Sequence, residues 1–137
     1  MIDIEIDIYN IVRRAVEDEM GKGMAEVSTE YTKQPAKFPF VSVIEVDNAS
    51  SDWTRTSDNV ENHATVTYDI NIYSNRVGTR KSECKRIANA VDTAMLRLGF
   101  SRMSMGQNPN LMDTTVYRIT GRYRAMVDHN KTIYYRR

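Results

Sequence analysis

The alternation of apolar and polar positions is sharpest in the second half of the chain. From Thr65 to Tyr73, Val66, Tyr68, Ile70 and Ile72 fall on one side of an extended segment and Thr65, Thr67, Asp69 and Asn71 on the other, a period of two that specifies a half-buried strand. A polar stretch, Ser74 to Gly78, leads into Thr79 to Phe100. There Cys84, Ile87, Ala88, Val91, Met95 and Leu98 recur at helical spacing, Lys81, Lys85, Arg86, Asn89 and Asp92 point outward, and Gly99 supplies the stop. Period two returns from Thr115 to Val127, with Tyr117, Ile119, Gly121, Tyr123, Ala125 and Val127 on one face and Arg118, Thr120, Arg122 and Arg124 on the other. A turn at Asp128 to Lys131 then carries Thr132 to Arg136 back as a closing hairpin.

The first half is less regular. Isoleucines at 2, 4, 6 and 8 alternate like a strand, but Ile4, Ile8, Ile11, Val12, Ala15 and Val16 keep helical spacing as far as Met20, and Gly21 is a good helix stop. The longer pattern predicts a helix, with Asp3, Glu5 and Asp7 near the positive end of its dipole. Ala25, Val27, Thr29 and Tyr31 alternate with polar residues as a strand does. Pro35 and Pro39 interrupt any ladder, and the run Val41, Val43, Ile44, Val46 reads as a second strand. Residues 47 to 64 turn polar around a single tryptophan, Trp53, and read as the outer half of a long hairpin with its turn near Ser57, Asp58 and Asn59. Residues 101 to 113 read as a short strand at Met103 to Met105 followed by a loop. The element order predicts an α+β domain: an antiparallel sheet, with a mixed one open, two helices on one face, and a projecting hairpin.

A chain of 137 residues fits a single domain and buries about 68–70% of the surface its unfolded form exposes. No apolar run approaches a membrane span, and the acidic residues among the first isoleucines are unlike a secretory signal, so a cytoplasmic site of synthesis is expected. Nineteen basic against eighteen acidic residues leave a net charge of +1, which supplies no global attraction to nucleic acid or anionic membranes. Cys84 is the single cysteine, so no internal disulfide can form.

Candidate chemistry is sparse. His63 and His129 stand in loop or turn context without ligand-spaced partners, Cys84 lies on the apolar stripe of a helix, and the six glycines form no phosphate loop. The sequence offers no candidate catalytic residue, metal ligand or cofactor site. It points to contact surfaces: Trp53 and Arg55 on the hairpin, the acidic helix end Glu17, Asp18 and Glu19, and the stripe Arg118, Arg122 and Arg124. Arg13 and Arg14 precede Glu17 and Asp18 by four residues and offset part of that acidity. The arginine stripe suits an acidic protein partner or a phosphate backbone, although no aromatic residue is interleaved with it on the same face.

The segments FPFVSVIEVDNA (Phe38 to Ala49), ENHATVTYDINIYSN (Glu61 to Asn75), KSECKRIANAVDTAMLRLGF (Lys81 to Phe100) and VYRITGRYRAMVDHNKTIYYR (Val116 to Arg136) resemble the small tail-terminator and head–tail joining proteins of long-tailed phages and prophages. The resemblance implies a structural virion protein at the tail–head interface, assembled in the host cytoplasm. It implies a ring of six copies that stops polymerisation of the tail tube protein and offers a surface to the head connector or a head-completion protein, with genome DNA passing through. Alternatives are another neck, head-completion or minor tail subunit, and, from a different class, a nucleic-acid-binding module using Arg118, Arg122 and Arg124. A small hydrolase or nuclease would need a carboxylate cluster that the predicted layout does not supply.

Overall fold

A computed structural model describes residues 1–32, 35–50, 63–109, 113–131 and 133–134. The chain runs α1 (Glu5–Met20), β1 (Glu26–Ser28), β2 (Phe40–Ser50), β3 (His63–Ser74), α2 (Arg80–Leu98), β4 (Ser101–Gln107), β5 (Tyr117–Asp128) and β6 (Ile133–Tyr134). The strands form one open sheet in the order β1-β2-β3-β5-β4, with β6 pairing with the end of β5. All neighbours are antiparallel except β1 and β2, so the sheet is mixed.

Both helices lie on one face, and the period-two and helical stripes meet there. Ile8, Val12 and Val16 of α1 and Cys84, Ile87, Val91 and Met95 of α2 share a core with Val41, Val43, Val66, Tyr68, Ile70, Ile72, Ile119, Tyr123 and Val127 of the sheet. Gly99 ends α2 in the left-handed conformation (φ 107°), and its N–H and that of Phe100 donate to Leu96 and Met95 carbonyls at 3.1 Å. This glycine stop turns Phe100 inward, where its ring meets Tyr68 edge-on at 6.0 Å. Gly21 does the same service for α1, its N–H donating to the Glu17 carbonyl at 2.8 Å.

Four expectations change in detail. The strand predicted from Ala25 to Tyr31 is three residues long and parallel to β2, because the chain leaves the sheet edge to cover its outer face. There the Tyr73 hydroxyl donates to the Thr32 carbonyl at 3.4 Å, and Phe38, Phe40, Tyr73 and Val116 form a second small core. The short strand placed at Met103 to Met105 extends over Ser101–Gln107. Its residues are mostly exposed, so no burial rhythm marks it in the sequence. Asp92, expected outward, is largely buried at the α2–sheet boundary, where it accepts from the Tyr123 hydroxyl (2.8 Å) and Arg102 Nη1 (2.9 Å). His63 opens β3 rather than lying in a loop. The arms of the predicted hairpin are β2 and β3, paired from Phe40 with Tyr73 to Ser50 with Ala64. Its tip, with Trp53, Arg55 and the turn at Ser57 to Asn59, lies outside the described residues.

Candidate interaction surface

The outer face of the sheet is built by the residues that alternation turns away from the helices. The β3–β5 register sets Asp69 opposite Arg122, Asn71 opposite Thr120, and Tyr73 opposite Arg118. The arginine stripe therefore meets its partners within the same sheet. Arg122 clasps Asp69 bidentately at 2.8 and 2.9 Å, which raises the guanidinium pKa further through that hydrogen bond and charge. Arg118 donates from Nε (3.2 Å) and Nη2 (2.8 Å) to Asn71 Oδ1, which also accepts from the Thr120 hydroxyl at 2.8 Å. Its guanidinium lies 5.3 Å from the centre of the Tyr73 ring and 5.8 Å from that of Tyr31. Aromatic rings absent from this face of the strand thus reach the arginines from β3 and from the segment after β1, and they already hold a cation. Arg124 differs: it is exposed and, among the described residues, has no ion pair. It borders a cavity of about 270 Å³ lined also by Thr65, Gly99, Ser101, Met103, Ala125 and Met126.

The acidic end of α1 is similarly divided. Glu17 pairs with Arg13 at 3.1 Å, one helical turn earlier, and Glu19 pairs with Arg86 of α2 at 3.1 Å. Asp18 is left exposed and without an ion pair among the described residues. These exposed pairs each contribute little to stability, but they consume the charge that sequence spacing alone leaves at the helix end.

A second acidic group was not singled out from the sequence. Asp3, Glu5 and Glu45 bring carboxylate oxygens within 4.8 Å of one another where β2 meets the start of α1. Glu45 Oε1 accepts from Asn48 Nδ2 (3.2 Å) and the Tyr68 hydroxyl (3.3 Å), and Asn48 also donates to the Ile2 carbonyl at 2.7 Å. Burial pushes the Glu45 carboxyl above its ordinary range; the two hydrogen bonds pull it partly back, and Asp3 and Glu5 push it up again. The signal in the sequence was the break in apolar alternation at Glu45 and Asp47, the only two acids in β2.

A raised folded pKa means that the folded chain holds the Glu45 proton more tightly than the unfolded one. Stability from this group is therefore full below the ordinary value of 4.5 and is lost as pH rises through the folded value. Glu45→Gln, which keeps an acceptor oxygen, is expected to stabilise the dilute monomer at pH 7 by less than about 1 kcal/mol, solvent screening being considerable. It should leave stability at pH 4 unchanged. Urea titrations at the two pH values measure this, and equal effects at both would show that the acidic cluster carries no electrostatic cost.

Cys84 is fully buried, its thiol 3.5 Å from the Tyr117 carbonyl and 3.7 Å from that of Ile72, and burial pushes its pKa up to about 12. Among the described residues no helix is long and apolar enough to cross a membrane.

No family model matches the chain, and no curated protein matches its sequence. Solved structures do match by fold. One is a chain described as "Virion of native gene transfer agent (GTA) particle", which superposes with a TM-score of 0.62 at 19% identity over 88% of this chain and 91% of that one. Coverage this high on both sides shows that the two share a fold over most of both chains.

Proposed function

We propose that the chain is a structural, non-enzymatic virion protein of a long-tailed phage or phage-like particle, forming a ring of six copies that ends the tail tube and joins it to the head connector. The observation that carries this is the shared fold with a chain of a gene transfer agent virion, matched over nearly the full length of both. The resemblance of four segments to tail-terminator and head–tail joining proteins supports the finer role. In this reading the partners are further copies of the chain, the tail tube protein, and the head connector or a head-completion protein.

DNA passes the ring without specific binding. Arg118 and Arg122 are already held by Asn71, Tyr73 and Asp69, which leaves Arg124 as the uncommitted cation of the stripe. One free guanidinium is a weak phosphate track, so the nucleic-acid-binding alternative has little to draw on.

Deleting the gene from the phage or prophage of origin and imaging lysates by electron microscopy tests the role. Overlong, headless tails are expected. Tails of normal length lying free beside filled heads would move the protein to head completion or joining alone, and unchanged virions would overturn the structural reading.

A further inference from the structure

The two edges of the sheet differ in charge. On one side β1 covers β2 only at Phe40, Ser42 and the residue between them, so among the described residues no strand pairs with the outer edge from Ile44 to Ala49. It carries Glu45 and Asp47, with Asp3 and Glu5 beside it, and no basic residue. On the other side, among the described residues, β4 pairs only with β5, which leaves its outer edge without a strand along Ser101–Gln107. It carries Arg102 and no acid, with Arg124 in the adjoining strand.

The registers put these opposite charges on common rungs. Glu45 pairs with Tyr68, Tyr68 with Tyr123, and Tyr123 with Arg102; Asp47 pairs with Thr67, Thr67 with Arg124, and Arg124 with Ser101. Val43 reaches Met105 through Ile70 and Gly121, and Ile44 reaches Ser104 through Asp69 and Arg122. Each edge also bulges once, between Glu45 and Asp47 and between Arg102 and Ser104. Since β2, β3, β5 and β4 alternate in direction, a copy that continues the sheet makes an antiparallel junction.

We propose that copies of this chain associate head to tail, the open edge of β4 adding to the β1-free stretch of β2 on the next copy. Unbroken rungs then set Ile44 beside Ser104 of the neighbour on the outer face, and Glu45 beside Arg102, whose guanidinium Asp92 of its own chain also holds, on the helix face. On the outer face, adjacent strands stand about 4.8 Å apart, so Arg124 reaches Asp47 of the neighbour across the small Ser101. Main-chain hydrogen bonds supply adhesion and the matched charges fix the register, while two different edges make the contact heterologous, as ring closure requires. The edge pairing is independent of the virion role; only closure into six copies rests on that reading.

Mixing a chain carrying Ile44→Cys with one carrying Ser104→Cys tests the junction, because Cys84 is fully buried. Under mild oxidation the mixture is expected to give a disulfide-linked pair that neither chain gives alone. Asp47→Lys and Arg124→Glu should each weaken self-association, followed by sedimentation, on the order of tenfold, and chains carrying both changes should recover it. Association that persists with no disulfide in the mixture and no effect of either reversal overturns the edge junction while leaving a ring through another surface open. A chain that stays monomeric at every accessible concentration also overturns it, and the tail phenotype of the gene deletion then judges the virion role separately.

Discussion

Replacing Ile87 by Ala is expected to lower the unfolding free energy by about 2–5 kcal/mol, the range for emptying a fully buried aliphatic site. Ile87 is completely buried and lies midway along the stripe of α2 that faces β3 and β5. Its neighbours on that stripe, Cys84, Val91 and Met95, are equally inaccessible, so the surroundings have few ways to collapse into the vacated space. An exposed change on the same helix, Asn89→Ala, should stay within about 0.5 kcal/mol. Urea denaturation of the two variants, compared with the parent chain, measures both. A cost below about 1 kcal/mol for Ile87→Ala would mean that α2 is not clamped on the sheet by this stripe, and the two-layer architecture would lose its main support. The proposed edge junction depends on that clamp, because α2 also carries Asp92, which ties Arg102 of the β4 edge and Tyr123 of β5 to the helix layer.

Elements that bury one clean face were legible from residue spacing alone. For α2 the stripe from Cys84 to Leu98 and the stop at Gly99 leave the helix no other orientation, and the same holds for β3 and for the apolar face of β5. β1 was misjudged in extent because Thr29 and Tyr31 keep the alternation of a strand while their chain crosses the outer face of the sheet. The length of β4 was hidden for the opposite reason: an edge strand exposed on most of its positions has no rhythm to read.

Among the candidate contact residues, spacing located the arginines correctly on one face but said nothing of what sits opposite them. Asp69 and Asn71 neutralise or occupy Arg122 and Arg118 only because the β3–β5 register brings together residues about fifty positions apart. The same long-range pairing hides the Glu19–Arg86 bond between the helices. Arg124 and Asp18 keep their charge, and the acidic β2 edge emerges only when the strand order shows that it faces solvent opposite a basic one.

Gly121→Ala is expected to cost about 1 kcal/mol, the low end of overpacking because the flexible end of Met105 can swing aside, and the share due to Met105 should vanish when Met105→Ala is added while the share due to Tyr123 stays. A Cβ at position 121 would stand 2.7 Å from Met105 Cε, 3.1 Å from its Sδ and 3.1 Å from Tyr123 Cε2. Tyr123 cannot give way, being fully buried with its hydroxyl bonded to Asp92 at 2.8 Å. Met105 must move instead, and it is the β4 residue paired with Gly121. A β-carbon here therefore presses on the sheet edge itself, and Gly121→Val should do so more strongly. Two readouts separate the effects. Urea denaturation of the parent, both single variants and the double variant gives a coupling term, expected to be favourable because the shorter side chain makes room for the new methyl group. Sedimentation should show self-association weakened in Gly121→Ala even where the chain is folded, since a displaced Met105 disturbs the β4 edge that the next copy meets. Costs that simply add in the double variant would show that Met105 is not what holds position 121 to glycine, and unchanged association would detach this rung from the proposed junction.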